Sequence, residues 1–390
     1  MQVAVYELFI NNFDFTEFIA DFEIFGLLFT WILTMTITLW VMPKIILISK
    51  KKNLTALPND RTSHEGVVPT LGGIGIFIGV LVNNSIAGLL FANYTQLNNL
   101  IAFNLLLLLL LLLGVRDDIM TLNARKKFIF QIGIAVIFPL TTGIYIDSFD
   151  GLFNLQQIPP VPGTIFTVFV IVLIINAYNL IDGIDGLAGA LGVIISGMLA
   201  MTFYLSGHMF AAVMSMGLVG ALTAFLVYNF SRRMKIFLGD TGSMVVGFML
   251  AVQVVVYLNI SSADANPVYE NAPIFVMALL SYPLLDTLRV FIVRIKNGGS
   301  PFKADRNHIH HRLIDLGMRH AYATITVAGY TVIITTAAYL LNGLSITIAF
   351  LILLPVAMAL LGLPYMIKPS KKVAGVKMKQ FASKEKETSL

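Results

Sequence analysis

All 26 lysine and arginine residues of this chain lie in or beside alternate gaps between long apolar segments. The cationic stretches are 44–61, 116–127, 232–235, 289–319 and 368–386. The other gaps and the first 23 residues contain no lysine or arginine. In proteins that cross a membrane several times, cationic loops mark the cytoplasmic side. The sequence therefore predicts a polytopic membrane protein with its N-terminus outside and its C-terminus in the cytoplasm.

The composition also indicates a membrane protein. Hydrophobic residues make up 57% of the chain and charged residues 12%, whereas about a quarter of an average soluble domain is charged. A helix that spans a bilayer needs about 20 apolar residues. We count about 11 such segments, centred near positions 36, 81, 106, 137, 171, 196, 219, 250, 283, 333 and 355. The predicted fold is an all-α integral membrane bundle of about 11 transmembrane helices.

Three regions are expected along the chain. Residues 1–23 would form an extracytoplasmic segment, 24–367 the membrane domain, and 368–390 a basic cytoplasmic tail that is disordered along anionic head groups. Because topology explains the basic residues, we expect no nucleic acid as a partner. The absence of cysteine excludes disulfides and thiolate metal sites.

Four polar residues recur at every third position where the fifth apolar segment ends. Glycines at 183 and 186 are expected to break the helix there, so that two amides and two carboxylates converge on one space. The alternative is a helix end that is simply capped by aspartate and glycine. Four such groups at an apolar helix end are costly, which favours a functional site. They are Asn176, Asn179, Asp182 and Asp185.

A second glycine-rich motif, 237–243, precedes the eighth segment. Asp240 or Thr241 would cap a helix whose N-terminus favours phosphate. An ordinary N-cap is the alternative reading. Flanking glycines at 239 and 242 suggest that the backbone approaches a ligand closely.

Two adjacent carboxylates, Asp117 and Asp118, end the third segment, and a cationic run that includes Lys127 opens the fourth. Adjacent carboxylates raise each other's pKa unless a cation lies between them. A metal ion or a lysine is the expected cation. A solvated loop pair is the alternative.

The longest cationic gap contains His308, His310, His311 and Arg306. The histidines could bind zinc, but no thiolate is present and the surrounding carboxylates are hard oxygen ligands that suit Mg²⁺ better. Cationic donors to a phosphate are the favoured use of this loop. Two shorter motifs between the first two segments add Arg61 and Thr70 to the same face.

Together these motifs suit phosphoryl transfer, in which an enzyme mainly positions groups and neutralises charge. A location in the membrane implies that one substrate is a lipid. The alternative from another class is a secondary transporter, but transporters place such groups near the bilayer midplane. Here they cluster at one boundary.

The motifs resemble those of the polyprenyl-phosphate N-acetylhexosamine-1-phosphate transferases, across essentially the whole membrane domain. The resemblance rests on 116–118 with Lys127, 176–188, 228–229 with 237–243, and 300–312. It implies transfer of a sugar-1-phosphate from a UDP-sugar to a lipid carrier phosphate, with release of UMP. It also implies an inner-membrane enzyme with a cytoplasmic active site, and it leaves a homodimer open.

The resemblance implies a role for each matching residue. Asp117 and Asp118 would lie near the lipid phosphate with Lys127 as their cationic partner, and Asn179 and Asp240 would hold Mg²⁺, with Mn²⁺ as a substitute. The histidines are expected to act in catalysis at the sugar-linked phosphate. Substrate binding is expected of Asp182, Asp185, Asn229, Arg306, Asn176, Arg61 and Thr70.

Two branches of this family differ in the histidine loop. Enzymes that use UDP-MurNAc-pentapeptide typically have consecutive histidines followed by Phe-Glu. The sequence here, His-Ile-His-His-Arg over 308–312, is similar to the UDP-GlcNAc branch, which starts cell-envelope polysaccharides such as O-antigen. We therefore expect GlcNAc-1-phosphate transfer to undecaprenyl phosphate, with the pentapeptide branch as the alternative.

Overall fold

The computed structural model describes residues 23–52, 54–56, 68–263, 268–299 and 307–367. The predicted extracytoplasmic segment before Glu23 and the basic tail after 367 lie outside these residues, as do Arg61 and Arg306. The described chain forms thirteen helices and two small antiparallel sheets. The predicted all-α class is confirmed in this sense.

The first six helices and their connections occupy the first half of the chain. The sheet β1–β2 pairs Thr55 with Pro69, and the hairpin β3–β4 pairs Ser148 with Gln157. The elements are α1 (Glu23–Lys51), β1 (Thr55–Ala56), β2 (Val68–Pro69), α2 (Gly72–Phe91), α3 (Tyr94–Met120), α4 (Ala124–Thr142), β3 (Ser148–Leu152), β4 (Leu155–Gln157), α5 (Pro160–Ile181) and α6 (Leu187–Leu205).

Seven further helices complete the bundle. The short α9 and α10 are bent by 67° at a one-residue break, and the short α11 carries the histidines. The elements are α7 (Met209–Asn229), α8 (Gly239–Ala263), α9 (Ala272–Leu279), α10 (Ser281–Lys296), α11 (Ile309–Asp315), α12 (His320–Leu340) and α13 (Ile346–Met366).

Nine helices of the described residues are long and apolar enough to cross a membrane, and the bent pair α9–α10 would make a tenth. The chain is thus a multi-pass membrane protein. The remaining predicted span corresponds to α4, whose first turn carries Arg125, Lys126 and Lys127 and therefore leaves a shorter apolar stretch. The count of about 11 spans stays a prediction, as does the orientation of the termini.

Helix α8 is the central helix of the bundle. It packs against α2, α3, α5 and α6, and its most apolar 18 residues are 78% buried. A helix that is apolar on all sides is expected in the middle of such a bundle. The start of α8 is therefore held on several sides.

The helix ends form two chemically different faces. We call one the site end, because Asp117 near the end of α3, Lys127 near the start of α4 and Asp240 at the start of α8 meet there. We call the other the hairpin end, because the hairpin β3–β4 lies there and Asp147 accepts a hydrogen bond from Ser262. Within the described residues, the connections at the hairpin end contain no lysine or arginine.

Candidate functional site

The centre of the site end is a lysine held between two carboxylates. Nζ of Lys127 lies 2.9 Å from Oδ2 of Asp117 and 2.5 Å from Oδ1 of Asp240. The amide of Asn179 donates to Oδ1 of Asp240 at 2.8 Å and to the hydroxyl of Ser243 at 2.6 Å. Residues from α3, α4, α5 and α8 thus meet at one point, which we call the ion centre. Lys127 thus lies between Asp117 and Asp240, whereas the sequence predicted a cation between Asp117 and Asp118.

Asp118 does not lie in the ion centre with its neighbour Asp117. Its Oδ1 accepts from the backbone N–H of Asp240 at 2.9 Å, and its Oδ2 accepts from the backbone N–H and the hydroxyl of Thr241 at 3.0 and 2.6 Å. Asp118 therefore caps α8 from a different helix. The sequence predicted that Asp240 or Thr241 would cap this helix, and that prediction was wrong. These two backbone N–H groups, which the sequence predicted to favour a phosphate, already donate to Asp118.

Glycines allow this close approach at the start of α8. Gly239 has φ of +72°, and a Cβ there would lie 2.0 Å from the carbonyl oxygen of Thr70. A Cβ on Gly114 of α3 would lie 2.4 Å from Cα of Thr241. Glycine is required because any side chain would push α8 away from its neighbours. Thr70 accordingly lies beside the ion centre, although its substrate-binding role remains a prediction.

The four polar residues at every third position do not converge as predicted. Helix α5 ends at Ile181 as expected, but only Asn179 reaches the ion centre. Asn176 donates instead to Gln131 of α4 at 2.9 Å, because three residues along a helix turn a side chain by about 60°. Asp185 lies beyond the turn and pairs elsewhere.

Asp182 follows the end of α5 and is half-buried. No hydrogen bond to its carboxylate is seen from the described residues. Burial first, and then the charges of Asp240, Asp118 and Asp185, raise its pKa to about 8. At neutral pH the carboxyl group of Asp182 is therefore largely protonated, and a cation bound beside it would favour its ionised form.

Asp185 belongs to a second ion pair. Its Oδ2 lies 2.6 Å from Nζ of Lys235 and 3.1 Å from Nδ1 of His320. Burial acts to raise the pKa of Asp185, but the hydrogen bonds from His320 and Lys235 outweigh it and the pKa lies below its usual value. Asp185 thus stays ionised and joins the turn after α5 to the start of α12.

Asn229 links two backbone segments. Its Oδ1 accepts from the N–H of Gly186 at 2.6 Å, and its Nδ2 donates to the carbonyl of Ile236 at 2.8 Å. The amide is therefore occupied in holding the turn after α5 against the segment before α8. The contact of Asn229 with the nucleotide remains a prediction.

The three histidines lie together at α11. His308 is 3% exposed and its Nδ1 is 2.9 Å from Oδ2 of Asp286. His310 is fully buried, and burial first, then the neighbouring histidines, lowers its pKa well below the usual value. The ring centroids of His310 and His311 are 4.3 Å apart. His310 is therefore a neutral imidazole, whereas the sequence prediction favoured cationic donors throughout this loop.

The donor set fits Mg²⁺ only if substrate and water complete the coordination. Among the described residues, no three His, Asp or Glu side chains surround one metal position. Oxygen donors nevertheless lie close together, because the carboxylate of Asp240 is joined to Asn179 and its side chain is 38% exposed. Mg²⁺ typically keeps several waters and binds through one or two carboxylates plus substrate phosphates. Asp240 and Asn179 suit that mode.

Sequence reasoning missed three residues of the site end: Lys235, Asp286 and His320. Lys235 precedes the motif 237–243 by two residues, and its position could have suggested a partner for one of the aspartates. Asp286 is a lone carboxylate in an apolar span, which is itself a functional signal. His320 begins α12 outside the histidine motif, and no local pattern distinguishes it.

The chain is similar in sequence to a known family and to several named proteins. Residues 100–258 match the model of glycosyl transferase family 4, a stretch that includes the ion centre. The chain is 29% identical to a probable undecaprenyl-phosphate N-acetylglucosaminyl 1-phosphate transferase of Bacillus subtilis, over 85% of this chain and 90% of that protein.

Two further relatives carry the name undecaprenyl-phosphate alpha-N-acetylglucosaminyl 1-phosphate transferase. The protein of Yersinia pestis is 28% identical over 71% of this chain and 74% of its own length. The protein of Salmonella typhi is 27% identical over 83% of this chain and 86% of its own length. The resemblance indicated by the sequence motifs is confirmed.

Proposed function

We propose that this glycosyl transferase family 4 protein transfers GlcNAc-1-phosphate from UDP-GlcNAc to undecaprenyl phosphate and releases UMP. The observation that carries the proposal is the ion centre, where Lys127, Asp117, Asp240 and Asn179 meet at one end of a membrane bundle. The names of relatives that align over most of this chain support the same substrates.

In the proposed reaction, an oxygen of the lipid phosphate attacks the β-phosphorus of UDP-GlcNAc. The bond from that phosphorus to the bridging oxygen breaks, and UMP leaves with the electron pair. A phosphate monoester has a second pKa of about 6, so the attacking phosphate is largely dianionic at neutral pH. No residue needs to remove a proton from it.

The main barrier is therefore the approach of two anions. The ammonium of Lys127 lies where it can neutralise charge, and Asp117 and Asp240 hold it in place from two sides. Asp240 and Asn179 would hold Mg²⁺, which supplies further charge neutralisation on the diphosphate when bound. Mn²⁺ would serve through the same oxygen donors.

We place the reaction on the cytoplasmic face of the cell membrane. The cationic residues of the described chain flank the site end only, and cationic loops face the cytoplasm in most multi-pass proteins. UDP-sugars are cytoplasmic, so this orientation gives the donor direct access. A transporter is disfavoured because the ion centre is formed at helix ends rather than at the middle of the spans.

A reconstituted transfer reaction tests the proposal. Purified protein in detergent would be given Mg²⁺, undecaprenyl phosphate and, in separate reactions, UDP-GlcNAc, its C4 epimer UDP-GalNAc, or UDP-MurNAc-pentapeptide. We expect a GlcNAc diphosphate lipid by mass, no product after EDTA treatment, and recovery with added Mg²⁺. A lipid product from the pentapeptide donor alone would assign the chain to the other branch.

Two neighbouring lysines provide a matched pair of variants for this assay. Lys127→Ala removes the cation between two carboxylates and should lower turnover about 10²-fold or more. Lys126→Ala makes the same change of charge on an exposed side chain and should leave turnover close to that of the wild type. Equal activity of both variants would contradict the ion centre as the site of reaction.

A further inference from the structure

Helix α10 carries three polar side chains on the face that meets the histidine helix. Tyr282, Asp286 and Arg289 are spaced four and three residues apart, so they lie on one side of a helix. Each of the three contacts the segment that begins at Asn307. The 67° bend after α9 gives α10 its own direction and allows this contact.

Asp286 is the centre of this face. It is fully buried, and its Oδ2 lies 2.9 Å from Nδ1 of His308. Its Oδ1 accepts from the backbone N–H of Ile309 at 3.1 Å and from Nη2 of Arg289 at 2.9 Å. One carboxylate thus fixes both the ring of His308 and the first residue of α11.

This arrangement determines which ring nitrogen of His308 is available. A carboxylate accepts hydrogen bonds, so the nitrogen that faces it, Nδ1, carries a proton. Nδ1 is then committed to Asp286, and Nε2 is the nitrogen left for another partner. Carboxylates orient histidines in this way beside many metal and catalytic sites.

His310 shows the same pattern with a different partner. Its Nδ1 is 3.2 Å from the hydroxyl of Tyr282. Its Nε2 is buried, without a hydrogen-bond partner among the described residues. A Cβ built on Gly183 would lie 2.3 Å from that nitrogen, so Nε2 faces the turn that carries Asp182. In both histidines a residue of α10 engages Nδ1 and leaves Nε2.

We propose that Asp286 is a positioning residue of the transferase, which holds His308 so that its Nε2 meets the sugar-linked phosphate of the donor. The inference rests on the proposed function and adds a residue outside the region that matches the family model. The opposing view is that Asp286 only anchors α11 and acts on stability alone.

A double-mutant cycle separates these two views. Turnover, KM for UDP-GlcNAc and thermal midpoint would be measured for Asp286→Asn, His308→Ala and the double variant, in full-length protein. If Asp286 acts through His308, Asp286→Asn should lower kcat by about 10- to 100-fold with little change in KM. In the His308→Ala background the same substitution should lower kcat by less than about twofold.

Two further variants serve as controls for the double-mutant cycle. Asp286→Glu keeps the buried charge beside Arg289 but moves the carboxylate. This variant should fold and have a lower kcat than the wild type. The loss of kcat should again be smaller in the His308→Ala background. Asp147→Asn alters a hydrogen-bonded carboxylate at the hairpin end and should leave kcat unchanged.

The outcomes distinguish failure of this inference from failure of the proposed function. Full turnover in Asp286→Asn and Asp286→Glu, or losses that multiply with that of His308→Ala, would overturn the positioning role while the transferase stands. Wild-type protein that forms no lipid product would overturn the proposed function and this inference with it.

Discussion

At the scale of single residues, the charges of the ion centre contribute little to stability, so a functional role explains them better. The side chain of Lys127 is 15% exposed and that of Asp117 is 7% exposed, so both charges are largely removed from water. Partly buried ion pairs regain little net free energy after this desolvation. Lys127 also faces two carboxylates, Asp117 and Asp240, and compensates the charge of only one of them. A site that binds cations and phosphates explains why such groups are gathered here.

The raised pKa of Asp182 predicts a specific dependence of stability on pH. Below the usual aspartate pKa of 3.8 the group is protonated in both the folded and the unfolded state and contributes nothing to the pH dependence. Between 3.8 and about 8 the unfolded chain releases the proton while the folded protein keeps it, so stability falls as pH rises. Above about 8 the contribution becomes constant.

Thermal midpoints measured from about pH 5 to about pH 9, without divalent cations, would show this decline. Asp182→Asn removes the titrating group, so the variant should show a flatter profile. Added Mg²⁺ should raise the midpoint of the wild type most at high pH, where the carboxylate is ionised. An identical slope in wild type and variant would refute the assignment to Asp182.

At the scale of secondary-structure elements, the N-terminus of α8 is controlled by α3. Asp118 accepts three hydrogen bonds from Asp240 and Thr241, and this contact sets the position of Asp240 in the ion centre. A cap is typically worth about 1 kcal/mol. We therefore expect Asp118 to act on the reaction through α8, whereas Asp117 contacts Lys127 directly.

Two cap variants separate stability from activity. Asp118→Ala should lower the thermal midpoint and also lower kcat, because Asp240 loses its support. Asn93→Ala removes the capping box of α3 at the hairpin end and should lower the midpoint by a similar amount while kcat stays unchanged. If Asp118→Ala loses stability yet keeps full turnover, the link from α3 to the ion centre is not functional.

The sequence predicted these elements better than the directions of their side chains. Long apolar segments and glycine-rich ends predict helices regardless of their partners, so α3, α5 and α8 were found. Adjacent residues on a helix point about 100° apart, so the separation of Asp117 from Asp118 depends on how α3 is rotated against α8. Asn176 was misplaced for the same reason. The pairing of Asp286 with His308 depends on the bend before α10, which no local motif marks.

At the scale of the whole molecule, the two ends of the bundle differ in charge. The chain contains no cysteine, so single cysteines can report the sidedness directly. Gln156→Cys in the hairpin should react with an impermeant maleimide on intact cells, whereas Arg233→Cys before α8 should react only after permeabilisation. Labelling of both from outside would overturn the predicted orientation.

The fate of the β-phosphorus tests the central claim most directly. The site end is proposed to transfer a sugar together with its phosphate, whereas an ordinary glycosyl transfer would leave both phosphates on the nucleotide. UDP-GlcNAc labelled with ³²P at the β-position would be incubated with undecaprenyl phosphate, Mg²⁺ and wild-type protein. We expect label in the lipid and unlabelled UMP in equal amounts, with Lys127→Ala forming far less of both. Labelled UDP beside an unlabelled glycolipid would contradict it.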